Sequence, residues 1–146
     1  MIDRREDIME EYAFQVRWGD TDAAGIVYYP NFYKWMDEAT HEYFKKIGYP
    51  SVELYEEQQI GLPLLEAKCQ FKSPLRFEDQ VVVKSTVNEL HNKVFTIQHV
   101  FVKGEQVVAE GYETRAWTSF KEKAKAQPIP EYIRQKMMPE IKTVES

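Results

Sequence analysis

The chain has 146 residues and a formal net charge of -5, with 43% hydrophobic, 14% aromatic and 29% charged residues. This is enough chain for one domain with one core, and too many aromatics for a disordered segment. The acidic balance disfavours a duplex-binding surface, and with a mean hydropathy of -0.56 no apolar run approaches the about 18 residues of a membrane span, so neither nucleic acid nor membrane is an expected partner.

The opening residues, Met1-Ile2-Asp3-Arg4-Arg5, lack the apolar stretch of a signal peptide. Tyr12, Phe14, Val16 and Trp18 then alternate with Ala13, Gln15 and Arg17, the period-two pattern of a strand with one buried face. Residues 19–29 carry two Asp, a Gly and no helical period, which predicts a loop. Pro30 suits the first turn of a helix, where its missing N–H costs nothing. Phe32, Trp35, Met36, Ala39, Tyr43 and Ile47 recur at three- and four-residue steps from there, opposite Lys34, Asp37, Glu38, His41, Glu42, Lys45 and Lys46, and Gly48 supplies a stop. Residues 51–59 add another helical turn or two. Leu65, Ala67, Cys69 and Phe71 alternate as the apolar face of a strand that Ser73-Pro74 ends. Further strands are expected at 81–90, 94–102 and 107–120, with turns at His91-Asn92-Lys93 and Lys103-Gly104-Glu105. Connections this short imply antiparallel pairing. Pro128 and Pro130 end the strands, and residues 131–138 suit a terminal helix.

One amphipathic helix and one half-apolar sheet each need a cover, and the economical packing wraps the sheet around the helix. The expected fold is therefore α+β, a single domain over residues 1–146 with its core at about 12–120 and a helical tail at about 130–138. Val and Phe on the outer sheet face and an unpaired sheet edge predict a homo-oligomer, a dimer or dimer of dimers with a continuous sheet. The lone Cys69 makes neither an internal disulfide nor a zinc site. The expectation is a cytoplasmic protein that needs no metal and no cofactor.

The chemically informative stretch runs from Trp18 to Phe32. It places Asp20 and Asp22 on a loop that feeds directly into a helix N-terminus. Unpaired amides point outward there, and the helix dipole adds roughly half a positive charge. Such a place can hold a developing oxyanion, and a carboxylate beside it can act as nucleophile or base. Acyl transfer or hydrolysis needs both parts. The plainer alternative makes both Asp residues turn and cap residues. Calcium is rejected, because Ala24 and Asn31 stand where an EF-hand loop needs an acidic or amide ligand and then Glu. Neither a Gly-rich phosphate loop nor a Gly-x-Ser-x-Gly elbow occurs.

The stretch Trp18 to Ala39, above all Asp20-x-Asp22-x-x-Gly25-Ile26-Val27-Tyr28, closely resembles the 4-hydroxybenzoyl-CoA thioesterase family of hotdog-fold proteins. The resemblance extends from about Tyr12 to Phe120 and includes Phe71, Pro74 and Asp79. It implies a hotdog fold and an acyl-CoA thioesterase. It implies that Asp22 is the catalytic carboxylate, that Asp20 supports the loop, and that the backbone N–H of Tyr29 faces the thioester carbonyl. Gly25, Val27, Tyr28 and Pro30 then border the substrate. Some members carry His where this chain has Tyr29, so a His-assisted variant is not expected. The alternatives are a thioesterase for acyl groups on acyl carrier protein and a non-catalytic acyl-CoA binding protein.

Other residues receive smaller roles. His41 falls among the polar positions of its helix and reads as a solvated or interface histidine. His91 and His99 have no partner visible in the sequence and are assigned no function. Cys69 reads as a buried small hydrophobe. The phosphates of CoA call for cations at a pocket mouth, and Lys68, Lys72, Arg76, Lys84 and Lys93 are candidates from polar faces or turns.

Overall fold

The apolar positions predicted between Pro30 and Ile47 form one stripe along a 17-residue helix, α1 (Pro30–Lys46). A computed structural model, which describes residues 9–138, places that stripe against a five-stranded antiparallel sheet. The chain runs β1 (Glu10–Gln15), α1, α2 (Ser51–Gln58), β2 (Ile60–Gly61), β3 (Leu64–Phe71), β4 (Gln80–Leu90), β5 (Val94–Lys103), β6 (Gln106–Ala116), β7 (Thr118–Ser119), β8 (Lys125–Ala126) and α3 (Glu131–Met137). The large sheet has the order β1-β4-β5-β6-β3, and a small one has the order β2-β7-β8. The expected arrangement, a long helix wrapped by an antiparallel sheet, is the one the chain adopts.

The helix is buried in two apolar clusters. Towards its start, Phe32, Trp35, Met36 and Ala39 pack with Val81, Val83, Phe101 and Val108. Towards its end, Tyr43, Phe44 and Ile47 pack with Val87, Phe95, Ile97 and Trp117. Close approach at one point requires a glycine. A Cβ on Gly111 of β6 would lie 2.4 Å from the Lys68 carbonyl and 2.8 Å from the Met36 sulfur.

Five expectations are corrected. Trp18 does not continue the inward row of β1. The Asp20 carboxylate accepts the Arg17 N–H at 2.8 Å, the chain makes a 3₁₀ turn over Trp18–Asp20, and Trp18 stands 74% exposed, edge-on to Phe77. The strand expected at 107–120 breaks after Ala116. The Trp117 N–H turns to the Lys93 carbonyl at 2.9 Å, and Thr118–Ser119 crosses to pair with Ile60–Gly61. On β3 only Cys69 of the predicted apolar row is buried, while Leu65 and Phe71 are exposed, because β3 is an edge strand. The outer sheet face carries no Phe row, since Phe95 and Phe101 point into the core. Its outward positions include Lys84, Thr86, Gln98, Val100, Glu110 and Tyr112. At the C-terminal end, Ile133 and Met137 of α3 are fully buried in the second core cluster, so the core extends past residue 120.

Between the two apolar clusters lies a buried polar network. The Thr40 hydroxyl donates to Glu113 and lies 3.0 Å from His99 Nε2. Ser85 Oγ lies 2.7 Å from His99 Nδ1. Arg115 donates from Nε to Glu113 Oε1 at 2.9 Å and from Nη2 to Glu113 Oε2 at 3.0 Å. It also donates to the Leu62 carbonyl at 2.9 Å and to Asp37 at 2.7 Å. Burial by itself would push the Glu113 carboxyl up. The His99 ring 3.7 Å away, the hydrogen bonds from Arg115 and Thr40 and the guanidinium charge outweigh it and hold the group down at about 2.

Glu113→Gln should therefore destabilise the fold by about 3 kcal/mol, because it leaves the buried Arg115 charge without its main partner. Denaturant titration at pH 7 measures this. The folded carboxyl lies below its ordinary value of 4.5, so its stabilisation is complete above that pH and is lost as pH falls towards about 2. A Glu113→Gln variant whose stability has the same acid limb as wild type would refute this role.

Candidate active site

The loop predicted over 19–29 folds by backbone hydrogen bonds. Its base is a bridge between Thr21 and Val27, and the Val27 N–H is tied to the Leu75 carbonyl at 2.8 Å. Inside this lobe the Asp22 N–H donates to the Ile26 carbonyl and the Gly25 N–H to the Asp22 carbonyl, both at 2.9 Å. Gly25 sits at φ +80°, a left-handed conformation that other residues resist, and this is why a glycine closes the turn. The Asp22 side chain takes part as well, with Oδ1 accepting the Ala24 N–H at 2.9 Å. This is an Asx turn, the local geometry of the plainer alternative. It leaves the other carboxylate oxygen, on an exposed residue, without a protein partner among the described residues.

The helix start follows seven residues after Asp22. Tyr29 caps α1 with φ -57° and ψ -32° and no side-chain cap. The first bonds of the helix run from the Asn31 N–H to the Tyr28 carbonyl at 3.0 Å and from the Phe32 N–H to the Tyr29 carbonyl at 3.1 Å. Pro30 has no N–H. The Tyr29 N–H has no protein acceptor among the described residues. One unpaired donor thus sits at the positive end of the longest helix.

The predicted site residues divide between two concavities on this loop. Asp22 and Gly25 line one of about 450 Å³ with Trp18, Thr21 and Phe77. Val27 and Tyr29 line another of about 630 Å³ with Phe32, Phe71, Lys72 and Leu75. Its walls are mainly apolar, and Tyr29, Phe32 and Phe71 meet edge to face. Tyr28 is exposed against Tyr29, and neither it nor Pro30 lines these hollows.

Of the five basic candidates for phosphate contact, Lys72 alone lines a hollow beside the loop, where it pairs with Glu110 at 2.7 Å. Lys68 lines a separate polar hollow with Gln98 and Tyr112. Lys84 lies on the outer face of β4, Arg76 in the turn before it and Lys93 in the β4–β5 turn. His41 is partly exposed as expected, 2.7 Å from Ser51 Oγ and 3.3 Å from Asp37. Cys69 is buried as expected. Sequence reasoning missed the buried partners of His99. The available signal was two opposite charges, Glu113 and Arg115, two residues apart on a strand. Among the described residues no group of three or more His, Cys, Asp or Glu side chains is placed to hold a metal ion. No helix there is long and apolar enough to cross a membrane.

Residues 16–137 match the model of the thioesterase-like superfamily. A gentisyl-coenzyme A thioesterase of known structure is 46% identical, with a TM-score of 0.79 over 88% of this chain and 98% of that one. The 4-hydroxybenzoyl-CoA thioesterase of Pseudomonas sp. strain CBS-3 is 30% identical over 58% of this chain and 62% of its own length, so the match spans under two thirds of that relative. An aspartate-to-asparagine mutant of 4-hydroxybenzoyl-CoA thioesterase, solved in complex with 4-hydroxybenzoyl-CoA, is 26% identical with a TM-score of 0.81 over 88% of this chain and 98% of that one. With its fold and its sequence in agreement, the chain belongs to the thioesterase-like superfamily of hotdog-fold thioester hydrolases.

Proposed function

We propose that this protein hydrolyses an acyl-CoA thioester to CoA and a carboxylic acid. Asp22 serves as nucleophile or general base, and the Tyr29 N–H serves as oxyanion donor. The observation that carries this is that one hydrogen-bonded loop bears both an exposed carboxylate with an oxygen free of protein partners and, seven residues on, an unpaired helix-terminal N–H, although the two residues line neighbouring hollows. By the direct route the Asp22 oxygen bonds to the carbonyl carbon, the thiolate leaves, and water cleaves the resulting anhydride. By the other route Asp22 takes a proton from water as its oxygen attacks the same carbon. In both, negative charge gathers on the carbonyl oxygen, where the N–H and the helix dipole stabilise it most. Thiolate is a good leaving group and needs no dedicated acid. The resembling enzymes act on aromatic thioesters, so aromatic acyl-CoAs come first in a thiol-release panel with short- and long-chain ones. No saturable release from any of them would end the proposal.

The active species is proposed to be a homodimer or dimer of dimers. Support comes from β3, an edge strand with Leu64, Leu65 and Phe71 exposed. An apolar unpaired edge favours pairing with another chain. Light scattering at micromolar concentration should show no stable monomer, and Leu65→Lys should shift the mass downwards. A monomeric wild type would exclude this assembly.

Asp22→Asn keeps the Asx turn but removes charge and basicity. It should lower kcat by at least about 10²-fold, the low end for general-base catalysis, while the melting temperature stays within a few degrees. Near-native turnover in that variant would rule Asp22 out as the reacting group.

Tyr29→Phe should keep kcat within about tenfold of wild type, because a phenol is not the proposed donor. Tyr29→Pro removes the N–H, and the observed φ of -57° lies within proline's range. It should lose about 10²–10³ in kcat, as deletion of an oxyanion donor does, with helix content preserved by circular dichroism. The reverse pattern, an inactive Phe variant and an active Pro variant, would transfer the role to the phenol.

A further inference from the structure

We infer that Asn31 is a positioning residue for this reaction, holding the lobe that carries Asp22 against the first turn of α1. The inference rests on the proposed roles of Asp22 and Tyr29. Asn31 is the second residue of α1, and its side chain does not cap its own helix. Its Nδ2 reaches back eleven residues and donates to the Asp20 carbonyl at 2.9 Å. The same oxygen accepts the Tyr28 N–H at 2.9 Å, so both of its lone pairs are engaged. Asp20 is fixed from its other side as well, because its carboxylate accepts the Arg17 N–H at 2.8 Å. The remaining side-chain bonds of this segment stay within it. Thr21 bonds to the Trp18 carbonyl, and Asp22 accepts from Ala24. Among the described residues, Asn31 provides the one side-chain hydrogen bond that joins residues 20–28 to the helix.

The placement has a chemical logic. Asp22 lies two residues beyond one end of this tie, and Tyr29 lies two residues before the other. Alongside the backbone bonds of the loop, the spacing between carboxylate and N–H is therefore held by a side-chain bond that neither group makes. A misplacement of about 1 Å between reacting groups can cost on the order of 10²-fold in rate. The neutral amide also suits the place. A carboxylate of the same shape cannot donate to a carbonyl, and it would set a negative charge beside the developing oxyanion.

The test compares Asn31→Ala, Asn31→Asp and Asp22→Asn with wild type in a thiol-release assay. Asn31→Ala should lower kcat by about tenfold, with KM within about twofold and the melting temperature within a few degrees. Asn31→Asp should lose more at pH 7. Its kcat relative to wild type should rise as pH falls from 7 to 5, because the introduced carboxyl regains a proton to donate to the Asp20 carbonyl. Asp20 and Asp22 stand beside the site in both proteins, so the comparison is made as that ratio. Wild-type kcat in Asn31→Ala beside an inactive Asp22→Asn overturns the positioning role alone. Near-native kcat in Asp22→Asn overturns the proposed mechanism, and this inference with it. A loss confined to KM, or one that merely follows the melting temperature, also overturns it. If Asn31→Ala does not fold, the nearly isosteric Asn31→Asp decides, and a pH-independent ratio counts against the inference.

Discussion

The apolar face of α1 cannot remain in water, and the inner face of the large sheet cannot either. Each large side chain buried there contributes about 1.5–3 kcal/mol, and α1 buries Phe32, Trp35, Met36, Tyr43 and Phe44 among others. That burial is non-directional. It holds the helix in the sheet without deciding how far along the sheet it sits. The polar network at mid-helix supplies the direction. Thr40 and Asp37 reach Glu113 and Arg115 on β6, and a slip of one turn would strand a buried charge. The location of the helix start, and with it the Tyr29 N–H, follows from a contact made about ten residues away.

The loop before the helix works by a different economy. It has little apolar burial of its own beyond Val27, so it is held by hydrogen bonds, most of them from backbone to backbone. One consequence is that a turn role and a chemical role for Asp22 do not compete. One oxygen closes the Asx turn and orients the carboxylate, while the other has no protein partner among the described residues. The turn role that the structure shows thus leaves one oxygen for the proposed chemical role.

Legibility in the sequence followed physical locality. The helix from Pro30, the loop before it and the paired strands were readable because period and turn chemistry are local properties. Tyr29 was less so. The residue before a proline usually takes extended geometry, yet Tyr29 is helical, and an unpaired N–H leaves no mark in a sequence. What failed was decided by distant partners. Trp18 continues an alternation and still turns outward, because Asp20 takes the Arg17 N–H. The break at Trp117 depends on Lys93 and on Ile60–Gly61. Leu65 and Phe71 follow the pattern of a buried face on a strand that the helix does not cover. The proposed site rests in the sequence on a loop motif carried by resemblance. Its anchoring by Asn31 was not legible, because the acceptor is a backbone carbonyl that every residue possesses.

The single thiol has a bearing on the chemistry around it. Cys69 is buried on β3, and burial pushes its thiol up to about 11. Disulfide exchange proceeds through thiolate, of which this residue offers very little at neutral pH. The proposed reaction liberates a thiol at every turnover, and CoA that has been oxidised to its disulfide exchanges with reactive cysteine thiolates. A lone sulfhydryl that is both shielded and held in its protonated form is a poor partner for that exchange. For the same reason a colorimetric disulfide reagent added to the native protein is expected to count released CoA with little background from the polypeptide.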